Sequence, residues 1–450
     1  MQTDQITRYA IVGFGGRVSM FLDPIVRDFP ARAQVVAACD KSFKAIEYHL
    51  NRVRSAYDAA VEPRLYRDDE FDRMLAECEP DAVVVCSPDH THERYITRAL
   101  AAGCDVITEK PMVTTAESCR KVLEASAAAK GRLRVAFNYR WSTGTTRVKE
   151  IIRDGAIGDI KHVNLEYFLD TNHGADYFRR WHSEKACSGG LIIHKATHHF
   201  DLVNWWIDGI PEDVFGMGSL AYYGRENAIR RGDGQWTGYD RYTGKAAADD
   251  PYKMDLSKDD ALRGIYLNAE AETGYIRDRN VFRAGIDIED TMSVLVRYRG
   301  GQQLNYSLVA YAPYEGYRVS FTGDRGRLEY EELHRSHIIT GQSDKELDAQ
   351  QKMAGRNITI RVTPHFKKQQ VIHVEPEAGA HGGGDPRMQA AIFDSRLARD
   401  PLGRDAGVEQ GAASIMVGVA ANTSFASGAP VKISGLCAIK PGAIRLGELL

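Results

Sequence analysis

Two short stretches of this 450-residue chain carry residues whose types and spacing suit hydride and proton chemistry. The first runs DVIT-Glu109-Lys110-Pro111, placing a lysine directly after a short apolar segment. A lysine at a strand's carboxyl end lies in the crevice where open α/β sheets bind ligands, so Lys110 is expected to meet cofactor and substrate together if that sheet holds a dinucleotide. The second is SGGLIIHKATHHFD (188–201), in which His194, His198 and Asp201 fall at i, i+4 and i+7 and so share one helical face. Lys195, His199 and Leu202 form the adjoining stripe, and Gly189 and Gly190 allow a tight entry to the helix. Oxidising a secondary alcohol needs a hydride acceptor and a base for the hydroxyl proton. Imidazole titrates near neutrality and suits the second task; an ammonium such as Lys110 would hydrogen-bond the reacting oxygen. A His-x-x-x-His pair also has metal-ligand spacing, but no HExxH glutamate accompanies it, and no metal is expected.

These groups need a scaffold, and from residue 8 to about 138 short apolar runs alternate with helical stretches. Strands are predicted at 9–13, 34–40, 81–88, 105–111 and 132–138, with helices at 17–28, 42–56, 92–103 and 116–129 between them. That rhythm builds parallel βαβ units with right-handed crossovers. Gly13-Phe14-Gly15-Gly16-Arg17-Val18 follows the first strand and opens a helix. Gly13 and Gly15 suit a tight turn whose amides approach a pyrophosphate at a helix N-terminus, although Val18 stands where the third glycine of G-x-G-x-x-G belongs. Asp40 closes the second strand, where a carboxylate accepts from the ribose hydroxyls and repels a 2′-phosphate. NAD is therefore expected over NADP, with neighbouring Lys41 leaving NADP open.

Beyond residue 140 the pattern changes. A strand is predicted at 158–170, a helix at 191–208, and hairpins at 290–311 and 317–331 that turn at Arg299–Gly301 and near Gly323–Gly326. Consecutive hairpins predict a mostly antiparallel sheet. Residues 221–285 are polar and weakly periodic and read as an insertion; 340–385 reads as a second irregular region; a late helix at 405–427 precedes a closing strand at 430–434. The expected division is 1–139 and 140–450. Arg140 and Trp141, and Tyr177, Arg179, Trp181 and His182 just before the histidine-rich helix, are candidates for substrate contact, because sugar rings take aromatic faces beside hydrogen-bonding groups. The HGGGD segment (381–385) is a candidate loop bringing His381 or Asp385 to the cleft.

Composition narrows the function class. The chain is 43% hydrophobic and 26% charged, as soluble globular proteins are, and its formal net charge of -3 supplies no attraction for nucleic acid or anionic membrane. The seven cysteines are scattered with no C-x-x-C pair, so neither a disulfide framework nor a thiolate zinc site is indicated. No secretory signal or membrane span is visible, and a cytoplasmic protein is expected.

Taken together, the glycine turn, Asp40, SPDHTH (87–92) and EKP resemble the glucose–fructose oxidoreductase/inositol dehydrogenase (Gfo/Idh/MocA) family, closely over the first 140 residues. The resemblance extends more loosely to FNYR (137–140), SGGLIIHKATHHFD and HGGGD. It implies an α/β amino-terminal Rossmann domain with a doubly wound parallel sheet. An α+β domain with a large, mostly antiparallel open sheet would follow, with NAD(P) in the cleft and homodimers or homotetramers assembled through that sheet. It further implies Ser87, Pro88 and His92 near the cofactor, Glu109 and Lys110 at the nicotinamide end, and His198 as general base. The family commonly has aspartate four residues before that histidine; His194 stands there instead, so the proton route is expected to differ, with Lys195 binding substrate hydroxyls or supplying a second cation. Three functions stay open. One is an NAD-dependent dehydrogenase of a sugar, glycoside or cyclitol ring hydroxyl. The second is a glycosidase using NAD for transient C3 oxidation and elimination. The third, a non-catalytic nucleotide sensor, is disfavoured by the retention of Lys110 and His198.

Overall fold

The computed structural model describes residues 6–338, 358–375, 377, 380–394 and 400–449. Six short strands build the first sheet: β1 (Thr7–Val12), β2 (Ala33–Cys39), β3 (Arg64–Tyr66), β4 (Ala82–Val85), β5 (Asp105–Thr108) and β6 (Leu133–Val135). They pair in parallel in the order β6-β5-β4-β1-β2-β3. The predicted strands all appear, and β3 joins them at the edge. Because successive side chains point to opposite faces, Ala10 and Val12 enter one apolar core while Tyr9 and Ile11 enter another. Helices therefore cover both faces, and β4 is buried along its whole length.

The second sheet is larger. It comprises β7 (Ile160–Asp170), β8 (Pro211–Ser219), β9 (Thr291–Tyr298), β10 (Gln303–Ala312), β11 (Glu315–Gly323), β12 (Gly326–Arg335), β13 (Ile358–Pro364) and β14 (Gln370–Val374). A two-residue strand β15 (Ala406–Gly407) returns to extend the first sheet antiparallel to β6, and β16 (Val431–Lys432) closes the second, in the order β14-β13-β12-β11-β7-β10-β9-β8-β16. Every pair in that sheet is antiparallel except β7 with β10. Both predicted hairpins form, at β9–β10 and β11–β12. The expectation of irregular structure over 340–385 is corrected where residues are described: ITIRVTP alternates inward Ile358, Ile360 and Val362 and forms β13. The rest of that stretch, up to residue 357, lies outside the described residues.

Two helices join the sheets. The late helix, Val408–Ser427, approaches its neighbours where glycine removes a side chain: a Cβ at Gly411 would stand 2.8 Å from Val135, and one at Gly418 2.5 Å from the Ile192 carbonyl oxygen. The predicted 191–208 helix is two pieces, Leu191–His194 and Thr197–Ile207. The amides of Lys195 and Ala196 both turn to the Leu191 carbonyl, and this slip rotates His194 and Lys195 relative to His198. The single face read from i, i+4, i+7 spacing is therefore broken. Among the described residues no helix is long and apolar enough to cross a membrane.

Candidate active site

The glycine turn rests on the end of β4. Gly13 has φ +91°, and a Cβ there would lie 2.4 Å from the Ser87 backbone nitrogen, so only glycine fits. Phe14 is buried and serves through its backbone, its N–H donating to Asp40 Oδ2 at 2.6 Å. The other Asp40 oxygen accepts from the Ser42 N–H at 2.7 Å. Burial raises the Asp40 carboxyl above its ordinary range, against the pull of these two amides. Gly15 and Gly16 lead into the first helix with open space on one side, bounded by the Tyr266 hydroxyl 3.6 and 3.3 Å from where their Cβ atoms would be. Backbone room, helix-terminal amides and a carboxylate at the end of β2 match what a dinucleotide requires. Arg17 pairs with Glu109 at 2.6 Å, and Glu109 also accepts from the Lys110 N–H at 3.1 Å, tying the turn to the EKP loop. Lys41 and Pro88 are exposed. Ser87 accepts from the Thr91 hydroxyl at 2.7 Å. His92 is fully buried, its ring nitrogens 2.9 Å and 2.8 Å from the carbonyls of Pro111 and Ser87, where it braces the EKP loop against the Ser87 turn.

Lys110 reaches across to the second region. Its Nζ donates to the His194 carbonyl oxygen at 3.1 Å, and burial pushes its pKa down to about 8, opposed by Asp89 and Glu109. His194 Nδ1 lies 2.5 Å from Asp89 Oδ2. Burial lowers the imidazole well below its ordinary value and raises the carboxyl well above its own, so the two meet as a neutral pair and not as an ion pair. Lys195 Nζ donates to the Tyr139 hydroxyl at 3.1 Å and sits 4.9 Å from the Tyr167 ring centroid. Burial works against its charge, but Tyr139, Tyr177 and Glu315 raise its pKa overall. His198 stacks flat on Tyr139, with centroids 4.1 Å apart and planes at 11°. Trp181 covers His182 at 3.6 Å, and His182 meets the edge of His194 at 4.2 Å. Burial and the nearby Arg180 charge hold His182 neutral.

Sequence reasoning missed two of these groups. Asp89 lay inside SPDHTH, and Tyr139 inside FNYR beside the chosen Arg140. Arg140 is corrected: it is fully buried, forks onto Asp201 at 2.6 and 2.7 Å, and donates to Gln410 at 2.7 Å. Its planar donors are taken up by the protein interior and leave no edge for substrate. Asp201 likewise turns away from His198 to meet that guanidinium. Trp141 and Arg179 are also buried, Arg179 donating to the Tyr252 carbonyl at 2.8 Å. Asp385 accepts from the Asn138 amide at 2.7 Å and pins the turn that carries Tyr139; the His381 side chain lies outside the described residues. Replacing Arg140 with alanine should cost about 3–5 kcal/mol by leaving the Asp201 charge buried alone, read as lost stability in urea titration.

The sequence matches two family descriptions: "Oxidoreductase family, NAD-binding Rossmann fold" over residues 7–137, and "Oxidoreductase family, C-terminal alpha/beta domain" over 149–433. YteT of Bacillus subtilis, whose name assigns it to the oxidoreductases without a substrate, is 38% identical over 428 residues, covering 93% of this chain and 95% of its own. Inositol 2-dehydrogenase of Rhizobium meliloti is 30% identical over 184 residues, covering 41% of this chain and 50% of its own. In fold, the chain is similar to scyllo-inositol dehydrogenase from Lactobacillus casei, solved with NAD(H) and scyllo-inositol. The TM-score is 0.61 at 16% identity, over 96% of this chain and 100% of the other. Aldose-aldose oxidoreductase from Caulobacter crescentus, solved with glycerol, gives TM-score 0.59 at 17% identity, over 95% and 100%. With both halves matched, the glycine turn joined to the EKP loop by Arg17–Glu109 and that loop joined to the histidine-rich helix by Lys110, the chain belongs to the Gfo/Idh/MocA oxidoreductase family, with an NAD-binding Rossmann fold.

Proposed function

We propose that the protein is an NAD-dependent dehydrogenase acting on a ring secondary hydroxyl of a sugar, glycoside or cyclitol. One observation carries the reading: the Lys110 ammonium of the first sheet meets the backbone of His194, beside Lys195 and His198 of the second region. When bound, the nicotinamide supplies the hydride acceptor. Lys110 holds the reacting oxygen and favours its alkoxide character. His194, oriented by Asp89, has the base-plus-orienter arrangement of activated sites and takes the hydroxyl proton. His198, held flat by Tyr139, and Lys195 bind neighbouring hydroxyls, and Trp181 offers a partly exposed aromatic face to the ring. Gly13, Phe14, Gly15, Gly16, Arg17 and Asp40 form the nucleotide seat, Lys41, Ser87 and Pro88 its rim, and Glu109 and His92 hold Lys110 in place. Inositol dehydrogenases among the relatives support the cyclitol or sugar class.

The test is a panel of sugars, cyclitols and glycosides with NAD and with NADP, followed at 340 nm and by product analysis. Stoichiometric NADH with one ring ketone is the expected result; no turnover across the panel would overturn the reading. A second reading draws on Asp89–His194, an acid–base pair additional to the two lysines. Transient C3 oxidation, removal of the C2 proton with expulsion of the aglycone, addition of water across the resulting C1–C2 double bond and return of the hydride to C3 would use it. Aglycone release from a chromogenic glycoside without NADH accumulation marks that outcome. Assembly through the large sheet is proposed from its exposed Met217 (69%) and Leu295 (53%); light scattering should find a dimer or tetramer.

A further inference from the structure

The polar insertion does not stand apart from the nucleotide seat. Its segment 256–280 packs on the turn and helix that follow Asp40. The Tyr266 hydroxyl accepts from the Gly16 N–H at 2.9 Å. Glu272 Oε2 accepts from the Ser42 hydroxyl at 2.6 Å and from the Lys44 N–H at 3.4 Å, with the Arg67 guanidinium 3.9 Å away. Lys44 Nζ in turn donates to the Asn268 carbonyl at 3.1 Å. Gly264 allows the approach, since a Cβ there would stand 2.2 Å from the Tyr48 ring. On its other side the segment is fastened by Arg277 to Asp176 at 2.7 Å, and Arg241 braces it internally through Glu270 and Asp278, both at 2.7 Å. The contact with the nucleotide seat is thus held from both directions.

The surface beneath Glu272 has a definite chemistry. Lys41, Ser42, Lys44 and Arg67 gather just beyond Asp40, and the Arg67 guanidinium donates to the Lys41 carbonyl. Arg67, Lys44, the Ser42 hydroxyl and a backbone amide around Glu272, with Lys41 next to Asp40 in the chain, are donors of the kind that accommodate a ribose 2′-phosphate at this position of the fold. In this chain a carboxylate already occupies it. We propose that Glu272 is a specificity-determining residue for the cofactor, filling the 2′-phosphate subsite from the insertion so that NAD is accepted and NADP excluded. This rests on the reading that the glycine turn and Asp40 seat a dinucleotide with free ribose hydroxyls. The hydrogen bond from Ser42 holds the Glu272 carboxyl below its ordinary range, so it is ionised at neutral pH and meets a phosphate as a like charge. The Lys41–Asp40 pair, ambiguous by itself, acquires a second carboxylate from 230 residues beyond Ser42.

Fluorescence titration of NADH and NADPH with the full-length protein tests this without any substrate. Wild type should bind NADH more tightly. Glu272→Ala should shift the NADPH/NADH affinity ratio toward NADPH by about tenfold or more, and Glu272→Gln, which keeps shape but removes charge, by a smaller factor in the same direction. Tyr266→Phe, at the pyrophosphate end common to both nucleotides, should leave the ratio unchanged. Loss of the nucleotide domain's fold weakens both ligands, whereas a selective gain for NADPH marks the Lys44–Arg67 surface as freed of the Glu272 carboxylate. If wild type prefers NADH and both Glu272 variants keep its ratio, the role of Glu272 is overturned while the NAD reading stands. If wild type prefers NADPH, the NAD reading itself fails.

Discussion

Lys110→Ala should lower kcat/KM by about 10³-fold, the scale of losing a positioned donor to a developing oxyanion, with NADH affinity nearly unchanged. The ammonium donates to the His194 carbonyl, whereas the Gly13–Gly16 turn is what would seat the pyrophosphate. Its pH behaviour gives a second readout. Burial favours the neutral amine and brings the pKa down to about 8, so the donating ammonium is present below that value and is lost as pH rises through it. A dehydrogenase relying on the ammonium should therefore show kcat/KM falling along an alkaline limb near pH 8. Lys110→Arg, always charged, should abolish the limb at reduced rate. Activity that rises through pH 8 would instead make Lys110 the proton acceptor, and full activity in Lys110→Ala would remove it from the mechanism.

Asp89→Asn should cost about 10²–10⁴-fold in kcat with little change in fold, because asparagine is nearly isosteric with the acid it replaces. Asp89 holds the His194 ring through Nδ1, so Nε2 becomes the basic edge once the pair has given up its proton. An amide in its place can neither take up nor release the proton that the Asp89–His194 pair must lose before the ring acts as a base. The same substitution separates the two histidines. His198 takes its orientation from the Tyr139 ring, so a mechanism with His198 as sole base predicts a loss of less than about threefold on Asp89→Asn, well under the usual general-base contribution. Parallel measurement of His194→Ala and His198→Ala decides which ring carries the proton and which binds a hydroxyl.

The alternating βαβ rhythm, the glycine turn, both hairpins and the late helix were legible because each follows from neighbours along the chain. The lysine at a strand end was equally legible, since β5 delivers Lys110 to the crevice whatever the second half does. Arg140 misled because a guanidinium next to aromatic residues looks alike on a sugar or on a buried aspartate. Its neighbour Tyr139, one residue away, meets Lys195 and His198 instead. Strand β13 is hard to see in the sequence because its Ile-Thr-Ile-Arg-Val alternation is short and lies between polar, weakly periodic segments.

From its residue order alone, the chain determined a nucleotide-type parallel sheet, a second antiparallel sheet and a lysine–histidine set suited to alcohol oxidation. Those depend on periodicity, turn chemistry and side-chain pKa, all local properties. Tertiary structure decided which groups meet. It brought Asp89 to His194, broke the histidine-rich helix so that His198 turned onto Tyr139, and laid Glu272 of the insertion against Ser42. Each of these contacts joins residues from different elements or depends on a slip in helix phase. Such pairings are set by how two sheets and a long insertion pack, and spacing along the sequence does not encode that distance.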